Sequence, residues 1–193
     1  MDKKEQIIHA ALEVFARQGL EKGKIADIAK QAGIGKGTIY EYFKSKDEIF
    51  KAIEDMFIKE SVNKIRELSE SRDTPTKKIE ALCSFSLDMH KDMGDSILII
   101  SELWAQHARN QFHSHDNALF EEMYRDYYDI VAGVLSEGVA KNEFRKMSIK
   151  GATTILLAMI DGIIWQSLII KDEKEFTTRK KEAIKAYING IKK

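Results

Sequence analysis

Apolar residues recur at three- and four-residue steps along almost the whole chain, and nowhere does strict apolar–polar alternation persist for more than a few positions. The pattern predicts an all-α protein of about nine helices. Ile7, Ile8, Ala11, Leu12, Phe15 and Ala16 mark one face of a first helix ending at Gly19, and Asp2 with Glu5 has capping-box spacing at its start. Ile25, Ile28 and Ala29 give a short second helix, stopped by Gly33, a residue suited to the left-handed conformation past a helix end. Gly35 opens a third, whose inward residues are Ile39 and Phe43. Ser45 and Glu48 repeat the capping signature, and Ile49, Phe50, Ile53, Met56 and Phe57, then Val62, Ile65 and Leu68, line a long fourth helix.

The polar run SESRDTP closes that helix, with Thr74 as N-cap and Pro75 at the first position of the next. A fifth helix places Ile79, Leu82, Cys83, Phe85, Ser86, Met89, His90 and Met93 close to one side, and Gly94 ends it. Asp95 caps a sixth, ILIISELWAQHA, reaching about Ala108, and RNQFHSHD reads as loop. A seventh carries Leu119, Phe120, Met123, Tyr124, Tyr127, Val131, Val134, Leu135 and Val139 and ends near Asn142. Ser148 caps an eighth, in which Ile155 to Ile170 is apolar almost all round, interrupted only by Asp161, Gly162, Gln166 and Ser167. That run reads as too short and too interrupted for a bilayer, which takes roughly 20 largely apolar residues. A helix apolar on all sides must be covered on all sides, so its second face is expected to meet another subunit. The ninth, with Ala183, Ile184, Tyr187, Ile188 and Ile191, is its natural companion, so the eighth and ninth helices are expected to build a homodimer through a four-helix interface.

Composition adds where charge sits. The 31 basic and 31 acidic residues of the 193 cancel, so any nucleic-acid affinity must be local. Between Lys22 and Lys46 six lysines face only Asp27 and Glu41, a local balance of +4. Two short helices across a glycine-containing turn, inside this basic stretch, form a helix-turn-helix, the unit that lays its second helix in the major groove of DNA. Lys36, Thr38, Tyr40, Tyr42 and Lys44 are left to the flank and outside of that second helix. The single cysteine, Cys83, cannot form an internal disulfide, which fits a reducing cytoplasm, and MDKKEQ lacks the apolar core of a signal peptide.

Other chemistry is sparse. His107, His113, His115 and Asp116 are good zinc or nickel ligands by type, but their spacing matches no strong metal motif, and no metal or cofactor is expected. There is no Gly-x-Ser-x-Gly elbow, no phosphate loop and no paired Cys and His at recognisable spacing, so the chain is not expected to be an enzyme.

The segments IIHAALEVFARQG and IADIAKQAGIGKGTIYEYFKSKDEIF resemble the tetracycline-repressor (TetR/AcrR) family of bacterial one-component regulators, in spacing, both glycine turns and the Tyr-x-Tyr-Phe cluster. Beyond about residue 57 only helix count and the Asp161–Gly162 pair support the likeness. The resemblance implies a cytoplasmic all-helical dimer, with residues 1–46 binding a double-stranded DNA operator and residues 47–193 holding a small-molecule effector and the dimer contact. It brings Lys36, Gly37, Thr38 and Tyr40 to positions that touch bases and phosphates, Tyr42 to a backbone or base-edge contact, and Lys46 to a phosphate-binding lysine. Gly23 and Lys24 depart from the threonines usual at the start of the second helix, and Lys24 is left to supply that contact by charge.

The same resemblance implies an apolar effector cavity, for which Phe85, Met89, His90, Trp104, His107, Met123, Tyr124, Tyr127, Met159 and Trp165 are the candidate lining. The expected function is a ligand-responsive repressor released from a palindromic operator by an apolar or aromatic effector. The alternative is a helical ligand carrier or metal sensor with a weakened DNA-binding region.

Overall fold

Asp2 begins the first helix as its spacing with Glu5 requires: the Asp2 carboxylate accepts from the Glu5 amide at 2.7 Å while the Glu5 carboxylate accepts from the Asp2 amide at 3.1 Å. The computed structural model describes residues 2–93, 101, 104, 105, 118–170 and 172–193, with backbone alone at 89–93 and 118–120. Among them are eight helices: α1 Lys3–Gln18, α2 Ile25–Ala32, α3 Lys36–Tyr42, α4 Lys46–Ser69, α5 Pro75–Met93, α6 Ala118–Ala140, α7 Ile149–Ser167 and α8 Glu173–Ile191. The expected sixth helix, near 97–108, lies mostly outside the described residues; its Ser101, Trp104 and Ala105 are helical. The chain divides into two compact units, Met1–Glu60 with Met93–Glu121, and Ser61–Asp92 with Glu122–Lys193.

In the first unit, Ile7, Ala11 and Phe15 of α1 are fully buried together with Ile28, Ile39 and Ile49, and Phe15 meets Phe50 edge to face at 6.3 Å between ring centres. Gly33, in the left-handed conformation at φ 65°, ends α2 as the sequence indicates. Ser45 accepts from the Glu48 amide at 3.1 Å, but the Glu48 carboxylate reaches one residue further back than a capping box requires, to the Lys44 amide at 2.6 Å. Gly23 answers to packing: a Cβ there would come within 2.6 Å of the Phe15 ring. The residue usual in the resembled family cannot stand at this position without moving Phe15.

In the second unit, Ile79, Cys83 and Leu87 of α5, Leu135 of α6 and Leu156 of α7 are fully buried, with Ile188 and Ile191 of α8 closing the core. Burial pushes the Cys83 thiol up to about 12, which makes it an unreactive core group. Two lysines are buried with carboxylate partners: Lys78 with Glu137 at 2.9 Å, and Lys180 with Asp88. The start of α5 is held by a partner far away in sequence, the Glu143 carboxylate, which accepts from the Thr76 amide at 3.2 Å and hydroxyl at 3.0 Å. Phe144 pairs with Lys192 in one isolated antiparallel bridge. Its ring fits only because residue 138 is glycine, where a Cβ would come within 2.0 Å.

The eighth expected helix is α7, and it stops at Ser167, three residues before the apolar run does. At 19 residues this helix is long and apolar enough to cross a membrane by length and composition alone, a test that the core helix of a soluble protein also passes. What its sequence cannot display is its packing: Ala152, Thr153, Leu156, Ile160 and Ile163 are buried within the second unit. Among the other apolar residues, Ile155, Ala158, Gly162 and Trp165, with Ile169 just past the helix end, follow one another at three- and four-residue steps, and Ile155, Trp165 and Ile169 are 62%, 43% and 78% exposed.

Candidate nucleic-acid interface and effector cavity

The helix-turn-helix stretch sorts its side chains by the period of its two helices. Ile39 and Phe43 go to the core, which leaves Lys36, Gly37, Tyr40, Tyr42 and Lys44 exposed and Thr38 half-buried beside them. Tyr40 and Tyr42 are 50% and 42% exposed, although aromatic rings of this size usually bury more of their surface. The Lys36 ammonium lies 5.8 Å from the centre of the Tyr40 ring, a cation–π contact between neighbours on one helix face. No heavy atom lies within 4 Å of where a Cβ on Gly37 would be, so another backbone can approach α3 closely there.

Lys46 and Lys24 stand at the edges of this surface. Lys46 donates to the carbonyls of Leu20 at 2.7 Å and Glu21 at 2.9 Å, tying the start of α4 to the turn between α1 and α2. Lys24 is exposed at the N-cap of α2, and no side-chain hydrogen bond closes that helix end. The C-terminal end of α2 is held from α1 instead: Gln6 donates to the Ala32 carbonyl at 2.7 Å and Arg17 to the Gln31 side chain at 2.9 Å.

In the second unit, α4 to α7 enclose a cavity of about 70 Å³. Ile65 comes from α4, Leu82, Phe85 and Ser86 from α5, Tyr124, Tyr127 and Val131 from α6, and Leu157, Ile160, Asp161 and Ile164 from α7. Clefts between bundle helices with few polar groups are the usual form of a small-molecule site. Of the ten residues expected to line a cavity, Phe85, Tyr124 and Tyr127 meet here. Met123 is buried away from the lining, Met159 packs against the core, and Trp165 lies on the exposed side of α7. Trp104 is half-buried in the other unit. The Met89 and His90 side chains and His107 lie outside the described residues, as do His113, His115 and Asp116. Among the described residues no group of three metal-ligating side chains occurs.

Among the described residues, Asp161 is the one acidic side chain on the cavity wall. The Tyr124 hydroxyl donates to its Oδ2 at 3.2 Å. Burial raises the Asp161 carboxyl above the ordinary aspartate range, and the Tyr124 hydrogen bond offsets part of that rise. Burial likewise pushes Tyr127 up to about 12 and Tyr124 further, so both phenols stay neutral. A polar residue between apolar neighbours on α7 is visible in the sequence; that it reaches the same space as Tyr124 is a tertiary fact.

Residues 7–53 match the family model described as bacterial regulatory proteins, tetR family. Over 189 residues the chain is 26% identical to the fatty acid metabolism regulator protein of Bacillus subtilis (strain 168), covering 96% of this chain and 94% of that one. The structure of the regulator FadR from Bacillus subtilis in complex with stearoyl-CoA superposes with a TM-score of 0.76 at 22% identity, covering 98% of this chain and all of the other. A transcriptional regulator from Saccharomonospora viridis in complex with choline gives a TM-score of 0.84 at 20% identity, covering 98% and 97%.

Proposed function

We propose that this chain, a regulator of the tetR family by the match of its residues 7–53, acts in the cytoplasm as a homodimeric repressor released from a palindromic operator by a small effector with an apolar or aromatic body. In this reading residues 1–46 bind DNA, and residues 47–193 bind the effector and the second subunit. The observation that carries the DNA reading is the exposure of Tyr40 and Tyr42 with Lys36 on one short helix, and of Lys44 just past its end, within a stretch that carries a local excess of lysine. Lys36, Thr38, Tyr40 and Tyr42 act at bases and phosphates, Gly37 admits the DNA backbone, and Lys24, Lys44 and Lys46 supply charge at the edges.

The dimer forms through α7 and α8. Support comes from the apolar stripe Ile155, Ala158, Gly162, Trp165 and Ile169, which the chain's own core leaves outward. Two-fold symmetry then sets the recognition helices about 34 to 36 Å apart, one helical turn of DNA or a multiple of it. The effector occupies the cavity lined by Phe85, Tyr124 and Tyr127. Structures of similar fold in complex with stearoyl-CoA and with choline support a ligand-binding role for this unit. Binding favours a dimer whose helices no longer match the operator; a coupling of about 1 to 3 kcal/mol changes operator affinity five- to 150-fold. The fourth helix, with residues in both units, is the element through which that coupling runs. No catalytic role is assigned.

A gel shift on the DNA upstream of the coding sequence, repeated over a salt series, tests this reading. The expected result is a salt-sensitive complex of one dimer on a two-fold site. Binding by a monomer, or affinity independent of salt, would overturn it.

A further inference from the structure

The effector cavity presents a carboxylate to a space whose other lining, among the described residues, is apolar or carries hydroxyls. Among the described residues Asp161 meets no lysine or arginine; its hydrogen-bond partner is the Tyr124 hydroxyl. A carboxylate held away from water is costly unless something charged or hydrogen-bonding meets it, and one hydroxyl at 3.2 Å meets only part of that need. Around it, Phe85, Tyr124 and Tyr127 bring three aromatic rings to the same small volume. Aromatic rings grouped about a desolvated point attract cations, because each ring face carries negative electrostatic potential. The cavity's size adds a limit: about 70 Å³ takes the compact head group of a ligand, or a few waters, while an attached chain has to extend beyond these lining residues.

We propose that the effector carries an organic ammonium group, held in this cavity against the Asp161 carboxylate among Phe85, Tyr124 and Tyr127. The inference rests on the reading of this cavity as the effector site, and names the class of compound it takes. A ligand presenting a carboxylate or phosphate here is disfavoured, because it would set like charge against Asp161 in a poorly hydrated space. Ser86, on the same wall, leaves room for a hydroxyl-bearing cation without selecting for one.

The test is calorimetric titration of the full chain with three probes of similar size: hexyltrimethylammonium, 1-heptanol and octanoate. Hexyltrimethylammonium is expected to bind the wild type most tightly, and to lose about ten-fold or more in affinity with Asp161→Asn. Octanoate is expected to show the reverse, binding Asp161→Asn better than the wild type, and 1-heptanol to respond little to the substitution. Tyr124→Phe, which keeps the ring and removes the hydroxyl, retains cation binding. Preference of the wild type for octanoate, a cation affinity indifferent to Asp161→Asn, or no binding by any probe overturns the proposal. A gel shift with hexyltrimethylammonium separates the two readings: cation binding without release of DNA leaves this inference standing and sinks effector-driven release.

Discussion

The ring of Phe15 occupies the space that a side chain at position 23 would need: a Cβ on Gly23 would stand 2.6 Å from Phe15 Cδ1 and 2.9 Å from Cε1. Phe15 is fully buried and packs on Phe50, so it has little room to retreat. Gly23→Ala is therefore expected to destabilise the first unit by about 1 to 3 kcal/mol, the usual cost of overpacking. Urea unfolding measures it, and a loss under half a kilocalorie would mean that the Phe15 ring moves freely. Lys24→Thr, one residue on, should act in the opposite direction by adding the missing N-cap of α2, a gain of about 1 kcal/mol.

Two lysines of the proposed DNA surface differ in what else they hold. The Lys36 side chain lies over Tyr40 on the outside of α3, whereas Lys46 donates to the Leu20 and Glu21 carbonyls. Lys36→Ala is expected to lower the salt slope of operator binding by about 0.9 with no change in melting temperature. Lys46→Ala should weaken binding to all sequences, lower the slope by a similar amount and also cost about 1 kcal/mol of stability, since two carbonyls lose their donor. An unchanged slope for either variant removes that lysine from the phosphate contacts.

The outward stripe of α7 predicts an association that a single charge breaks. Ile155 is exposed in one chain and is expected to be covered by the second. Ile155→Asp should turn the dimer into a monomer in sedimentation velocity, and operator affinity should fall with it. A dimer that persists through Ile155→Asp and Trp165→Asp together would move the interface elsewhere.

Asp161 predicts how stability follows pH. Its folded-state carboxyl is raised above the ordinary value of 3.8, so the fold favours the protonated form. The stability this group contributes is present in full below the ordinary value and is lost as pH rises through the raised one. Asp161→Asn, which keeps an acceptor for Tyr124, should therefore stabilise the chain by about 1 kcal/mol near neutral pH. That gain should shrink as pH falls toward the ordinary aspartate range, a trend that urea melts along a pH series would follow. A gain independent of pH would mean that the Asp161 charge costs the fold nothing.

The sequence by itself determined most of the described helices and their starts, because caps are made by residues within a few positions of each other. Asp2 with Glu5, Thr74 before Pro75, Ser148 with Gly151 and the left-handed Gly33 all act locally, and all stand where spacing put them. The tyrosine-bearing third helix was legible for the same reason: its period separates Ile39 from Lys36 and Tyr40 without help from the rest of the chain. Tertiary structure alone decided which faces meet. Helical spacing places Phe85, Met123, Tyr124, Tyr127, Met159 and Trp165 on apolar faces of three helices, but cannot say that Phe85, Tyr124 and Tyr127 share one cavity with Asp161 while Trp165 turns outward. The same holds for Glu143 at the start of α5, for Phe144 against Gly138 and for Phe15 against Gly23. Each is a contact between segments whose approach depends on the packing of whole helices, and local propensity carries no information about that.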